Sequence, residues 1–571
     1  FGTTLTGAGA KSAAFQVVWY QFTVGITSEA EANESKATAT AVTPSCGDRL
    51  TGTTTGTSTT VAGVASADTF LISTPAAAPG IYLNTLTLTS ATPGHIASVR
   101  GLDQTAGAPV AGTDVSVQSS TILGTDRINR FYSFGPSSQL YYRVTGVAAT
   151  TAPYSTTLTC APVTPIAVST SLHAGPITIR RGNGNTTDTD WWVYDSSFNP
   201  LPDFGHDEPD SGAITRTLAP GVYYIAMGAY NTANNLPSPI DDTDRTSNLM
   251  DFAGVLASGS TTISIVNMNV EILDTTGAVV TGVGSRNIAF EVVWYRFAVD
   301  ILPEVEPNDT KAAATPAAME CGYSITGTTT GTSATVAGVA SADNFLLAMP
   351  PASPGIYEHM LTLTSTIPGH TATLRGLTQT AGVPNAGTDT TIQSSTVIGT
   401  DRVSRFYSLG GPGQLYYRVT GTVATTAPYR AMLSCTPVTP IPVSTQVRAG
   451  PITVRPTAAA DVTADIDFWV YDAAFNPLPD FGHDDADSTG ATRTLAPGVY
   501  YIAFGNFNTA NSLGSPADDT FRTGAVMDFG GVVANSTTSV ISNMSVEVAD
   551  SFGTLATGVG AKTAAFQVVW Y

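Results

Sequence analysis

The chain has 571 residues, a net charge of −20, only 12% charged residues, 54 Gly and 35 Pro. That charge repels phosphate and excludes nucleic acid as a partner, and no apolar run approaches the ~20 residues that cross a bilayer as a helix. Apolar residues recurring in strand-like alternation exclude a disordered chain, and the abundance of Thr, Val, Gly and Pro suits short β-strands joined by many turns.

In chain order, the first stretch reads FGTTLTGAGAKSAAFQVVWY at residues 1–20 and returns as FGTLATGVGAKTAAFQVVWY at residues 552–571. The two differ only at Thr4/Leu555, Leu5/Ala556, Ala8/Val559 and Ser12/Thr563. A third version, TGVGSRNIAFEVVWYRFAV, occupies Thr281–Val299. Thr6, Thr281 and Thr557 are equivalent, so the chain is two long repeats plus one overlapping strand. Phe15, Val17, Val18, Trp19 and Tyr20, with Phe566, Val568, Val569, Trp570 and Tyr571, read as an assembly strand with apolar groups on both faces. Such an overlap is expected of a piece of a longer array, or of a subunit that lends a strand to its neighbour. The chain starts without Met or a signal peptide, which is expected of a processed form or a fragment.

Each repeat divides in two. Residues 28–165 (A1) and 303–440 (A2) share PGIY (Pro79–Tyr82, Pro354–Tyr357) leading into the alternating LTLTS strand, then GTDR, FYS and LYYRVTG. Residues 166–302 (B1) and 441–571 (B2) share DWWVYD/DFWVYD (Asp190–Asp195, Asp467–Asp472), NPLPDFGHD (Asn199–Asp207, Asn476–Asp484), LAPGVYYIA and the FQVVWY strand. Residues 1–27 are then the strand that completes a preceding or neighbouring B domain. No segment sustains a 3.6-residue apolar period; the best helical candidate is the short Ala-rich stretch after Asn33 and Asn308. The expected fold is all-β: tandem jelly-roll or immunoglobulin-like sandwiches in two A–B repeats.

Cysteine falls at Cys46 and Cys160 and again, at the same spacing, at Cys321 and Cys435. With no C-x-x-C and no nearby His, this reads as one disulfide per A half and places the protein in an oxidising compartment, outside the cell or at its surface.

VEPNDTKAAATP (Val305–Pro316), the Asp-x-aromatic strands at Asp68–Phe70, Asp343–Phe345, Asp190–Trp192 and Asp467–Trp469, and Leu-x-Pro-Gly-x-Tyr-Tyr at Leu218–Tyr224 and Leu495–Tyr501 resemble the bacterial pre-peptidase C-terminal domain. The first copy departs at its opening, reading EAEANES at Glu29–Ser35. The resemblance implies small non-catalytic β-sandwiches carried by secreted proteins.

No zinc-protease, nucleophile-elbow or nucleotide-binding signature is present, and nothing repeated joins a nucleophile to a base, so no enzyme is expected. Asp203, Asp207 and Asp210, with Asp480, Asp484 and Asp487, could offer oxygens to Ca²⁺. The same turn also reads, and reads better, as a polar hairpin whose Asp side chains cap backbone N–H groups. Apart from that Ca²⁺, no cofactor is expected. Trp191, Trp192 and Trp469, if exposed, could stack on sugars, although strand alternation turns about half of such pairs inward. A Lys–Asn crosslink is disfavoured because Lys11 and Lys562 are matched by Arg286. The leading expectation is an extracellular structural repeat protein that partners copies of itself or further repeats, in a filament, stalk or surface layer. A carbohydrate-binding adhesin and an accessory region of a secreted peptidase are the alternatives.

Overall fold

The architecture is that of a computed structural model. It describes all residues except 1–5, 14, 21–23, 55–65, 92–93, 103, 106–107, 110–115, 147–152, 169–170, 186–187, 208–211, 231, 240, 242–251, 253, 262–265, 330–340, 367–368, 378, 381–382, 385–390, 422–426, 458–464, 485–488, 517 and 520–527. Among the described residues the fold is all-β. The Ala-rich stretches make only single 3₁₀ turns, Lys36–Thr38 and Lys311–Ala313. No helix among them is long and apolar enough to cross a membrane. Two compact units, Phe1–Val299 and Asp300–Tyr571, each hold one A-type and one B-type sandwich.

In the first unit the A sandwich faces one sheet, ordered Ile26–Ser28, Arg49–Thr53, Pro153–Val163, Ile81–Ser90 and Asp126–Ser133, against another made of Thr40–Val42, Ala67–Ser73, Gln139–Thr145, Ile96–Arg100 and Ser116–Ser119. The alternation of the LTLTS strand has the expected result: Leu86 and Leu88 are buried, and they meet Phe70, Phe131, Tyr142 and Leu158 in the core. Cys46 is bonded to Cys160 and Cys321 to Cys435, each pair 114 residues apart in sequence. Each bridge ties the strand after its first Cys to the partner strand that carries its second, since Arg49 pairs with Thr157 and Ser324 with Met432.

The expected boundaries after residues 165 and 440 do not separate A from B. Strands Thr232–Ala233 and Val255–Ser258, placed by the sequence in B1, extend the A1 sheet: Tyr132 pairs with Leu256 and Ser133 with Val255. Ala233, Phe252, Val255 and Ala257 fill the A1 core. The second unit repeats this with Val532–Asn535 beside Asp401–Ser408. The cause is topological: a long excursion after strand Gly221–Met227 hands its strands to the other sandwich. Periodicity shows that a strand exists but not which sheet receives it.

The B1 sandwich packs Pro200–His206, Trp191–Tyr194, Gly221–Met227 and Val293–Val299 against Ile214–Leu218, Gly175–Arg181, Val270–Leu273 and Val279–Gly282. A second apolar cluster seals A to B inside each unit. In the first, Tyr132 and Phe134 meet Trp192, Tyr194 and Trp294; in the second, Tyr407 and Leu409 meet Trp469, Tyr471 and Trp570.

Candidate functional site

The thrice-repeated segment is a closing element of the B sandwich. In B1, Val279–Gly282 pairs with Val270–Leu273, the chain turns, and Val293–Val299 pairs with Gly221–Met227. In B2, Leu555–Gly558 and Val569–Trp570 do the same. The turn is fixed locally. Glu291 accepts from the N–H groups of Asn287 (2.7 Å) and Ile288 (3.0 Å), and Gln567 Oε1 from those of Thr563 (2.7 Å) and Ala564 (3.1 Å). Phe290 and Phe566 sit at φ 61°, a left-handed conformation that a bulky residue adopts only when its surroundings fix it.

The first copy keeps this turn without the sandwich. Gln16 Oε1 accepts from the N–H groups of Ser12 (2.7 Å) and Ala13 (3.1 Å), and Phe15 is at φ 59°. The Tyr20 ring lies on Gly7, where a Cβ would come within 2.6 Å of it, as Tyr295 lies on Gly282. The surroundings differ completely. Phe290, Trp294, Tyr295, Phe566, Val568, Val569, Trp570 and Tyr571 are buried, whereas Phe15 is 98%, Val17 64%, Trp19 88% and Tyr20 59% exposed and Val18 half-buried. Residues 6–20 form no strand among the described residues.

A second feature, missed in the sequence, is an acidic cluster in each A sandwich: Glu29, Glu31 and Asp68, repeated as Glu304, Glu306 and Asp343, with ligand atoms within 4.8 Å of one another. Glu29 is fixed by the Thr53 N–H (2.7 Å) and the Tyr154 hydroxyl (3.4 Å), and Glu304 by Thr328 (2.8 Å) and Tyr429 (3.5 Å). Gly52 and Gly327 admit this approach, because a Cβ at either would fall on the carboxylate. Asp68 and Asp343 are wholly buried, Asp68 beside Glu29 and the Tyr154 hydroxyl and Asp343 beside Glu304 and the Tyr429 hydroxyl. Among the described residues no donor reaches the side-chain oxygens of buried Asn33 and Asn308, two residues beyond Glu31 and Glu306. Burial and the neighbouring Glu29 push Asp68 up to about 8; burial and Glu304 do the same for Asp343. Converging hard oxygens that resist ionisation are the donor set a divalent cation stabilises. The signal was present in Glu306 and Asn308 of the VEPND stretch and in Glu304 just before it, but Asp343 enters only through strand pairing.

Among the described aspartates expected to bind Ca²⁺, no three converge with one another. Asp203 and Asp480 are exposed strand residues at φ 56°, and Asp210 and Asp487 lie outside the described residues. Asp207 is buried, while Asp484 lies near Asp465 and Asp467 rather than with Asp480. The twin histidines of that turn bond to the following loop, His206 to Asp241 and His483 to Asp518 (2.5 Å). Burial opposes ionisation of Asp241 and Asp518, but the histidine contacts hold both below the ordinary carboxylate range. Trp191, Trp192 and Trp469 are buried, and the indole N–H groups of Trp192 and Trp469 donate to Thr232 and Thr509 carbonyls (3.0 Å each), so none faces a sugar.

No protein-family model and no curated protein matches this sequence.

Proposed function

We propose that this is a non-catalytic structural repeat protein of the extracellular space, whose A–B units stack head to tail. The segment 6–24 of one unit completes the B-type sandwich of the unit before it. The observation that carries this reading is the exposed first copy, which keeps the turn of its two buried counterparts. Exposing that many contiguous apolar groups is costly unless a partner covers them. The partner's chemistry is set by the buried copies: an open B-type sheet edge.

In B1, Arg296–Val299 pairs with Gly221–Tyr224 and buries Phe297 and Val299. Gln21–Val24 reads QFTV where B1 reads RFAV. The likeness to secreted pre-peptidase C-terminal modules and the two disulfides accord with an extracellular setting. The A-domain acidic clusters would take Ca²⁺ there, as rigidifying sites rather than catalytic ones.

Electron microscopy and sedimentation of the native protein test this. Fibres repeating once per A–B unit, abolished by Trp19→Asp, are expected. Dispersed particles indifferent to that substitution would overturn it.

A further inference from the structure

Lys562, the lysine of the third copy, is 1% exposed. Its Nζ donates to Asn506 Oδ1 at 2.6 Å, to Asn535 Oδ1 at 3.1 Å and to the Thr537 carbonyl at 2.8 Å. Both asparagines are buried. Asn535 is held by its own NH₂, which donates to the Asn506 carbonyl (2.7 Å) and Thr509 Oγ1 (3.1 Å). Wholly buried Asp467 exchanges backbone hydrogen bonds with Gly505, the neighbour of Asn506, and its carboxylate accepts from the Thr509 N–H (2.8 Å). A buried amine, a carboxamide in contact with it and a nearby buried carboxyl are the three groups needed for amide exchange between side chains.

B1 supplies an internal control. The residues matching Lys562, Asn506 and Asn535 are Arg286, Ala229 and Ser258, while Asp190 still matches Asp467. All three reacting or positioning groups change together. Arg286 still donates to the Ser260 carbonyl (2.8 Å), as Lys562 does to Thr537, so the geometry is kept and the chemistry removed. A pocket of about 400 Å³ lined by Ala229, Ser260 and Arg286 lies at this place in B1. The Lys-to-Arg difference that counts against a crosslink in the sequence therefore comes paired with loss of the carboxamide.

We propose that Lys562 and Asn506 are joined by an amide bond between Nζ and Cγ. The neutral amine attacks Cγ, the new C–N bond forms, and the bond from Cγ to Nδ2 breaks. Nδ2 leaves as ammonia with one proton from Nζ, carried by the Asp467 carboxyl, and nothing is oxidised or reduced. Burial lowers the amine from its usual value to about 8, so that a fraction of it is neutral and nucleophilic near neutral pH. Asn506 is the electrophile because it is the nearer carboxamide; Asn535 positions the amine.

Intact-mass spectrometry of the full chain, followed by proteolytic mapping, tests the bond independently of unit stacking. The expected mass falls one ammonia below that of the doubly disulfide-bonded chain, with a branched peptide joining Lys562 to Asn506. Lys562→Arg and Asn506→Ala install residues that B1 tolerates at these positions, and each should restore the full mass. Asp467→Asn should slow the ammonia loss in freshly refolded protein. A full mass in the parent chain, or a branch at Asn535, would overturn the proposal.

Discussion

The first and third copies of the closing segment are nearly the same sequence in opposite surroundings. Thr557–Tyr571 is sandwich core; Thr6–Tyr20 is surface. That both share one turn shows what is local: the Gln side chain over two N–H groups, the left-handed Phe and the Tyr ring on glycine need no sandwich. What the sandwich adds is burial of Trp and Val. Side-chain identity thus sets the shape of the segment, and only its context sets what it contributes to stability.

The largest expected effect breaks this symmetry directly. Trp570→Ala should cost about 3–5 kcal/mol in chemical unfolding of the second unit, the range for removing a buried aromatic. Trp19→Ala should leave unfolding unchanged and abolish association in sedimentation. Equal effects at the two sites would contradict the contrast. Next, removing either disulfide by Cys46→Ser or Cys321→Ser should cost about 2–5 kcal/mol, similarly in both units, because the bridges close loops of equal length.

The acidic clusters give a signed pH dependence. Asp68 and Asp343 titrate near 8 in the fold against 3.8 in the open chain. Their contribution is therefore fully present below 3.8 and lost as pH rises through about 8. Melting temperature measured in chelator should fall over that window. Ca²⁺ should raise it most at the alkaline end, and Asp68→Asn together with Asp343→Asn should flatten both trends. The smallest effect concerns the seal between sandwiches: Tyr132→Phe removes the hydroxyl that accepts the Val292 N–H at 2.9 Å and should cost about 1–3 kcal/mol by thermal unfolding.

Much of this was legible in the residues. The LTLTS alternation and the paired Cys spacing report local period and count and appear as expected, whereas the repeated FQVVWY segment pairs as a strand in its second and third copies. The interlock of Val255–Ser258 with A1 was not legible, because strand patterns carry no address. Asp484 was picked out but grouped with Asp480 by sequence proximity, whereas folding sets it beside Asp465 and Asp467. The environment of Lys562 is not legible, since its asparagines lie on strands and turns that only the fold brings together.

The ready-made turn at Ser12–Gln16 also bears on speed. A segment already bent into its docked form has little conformational freedom left to surrender on capture, so its association should be governed by encounter rather than rearrangement. With mainly aromatic and aliphatic groups on offer, joining should also respond weakly to salt.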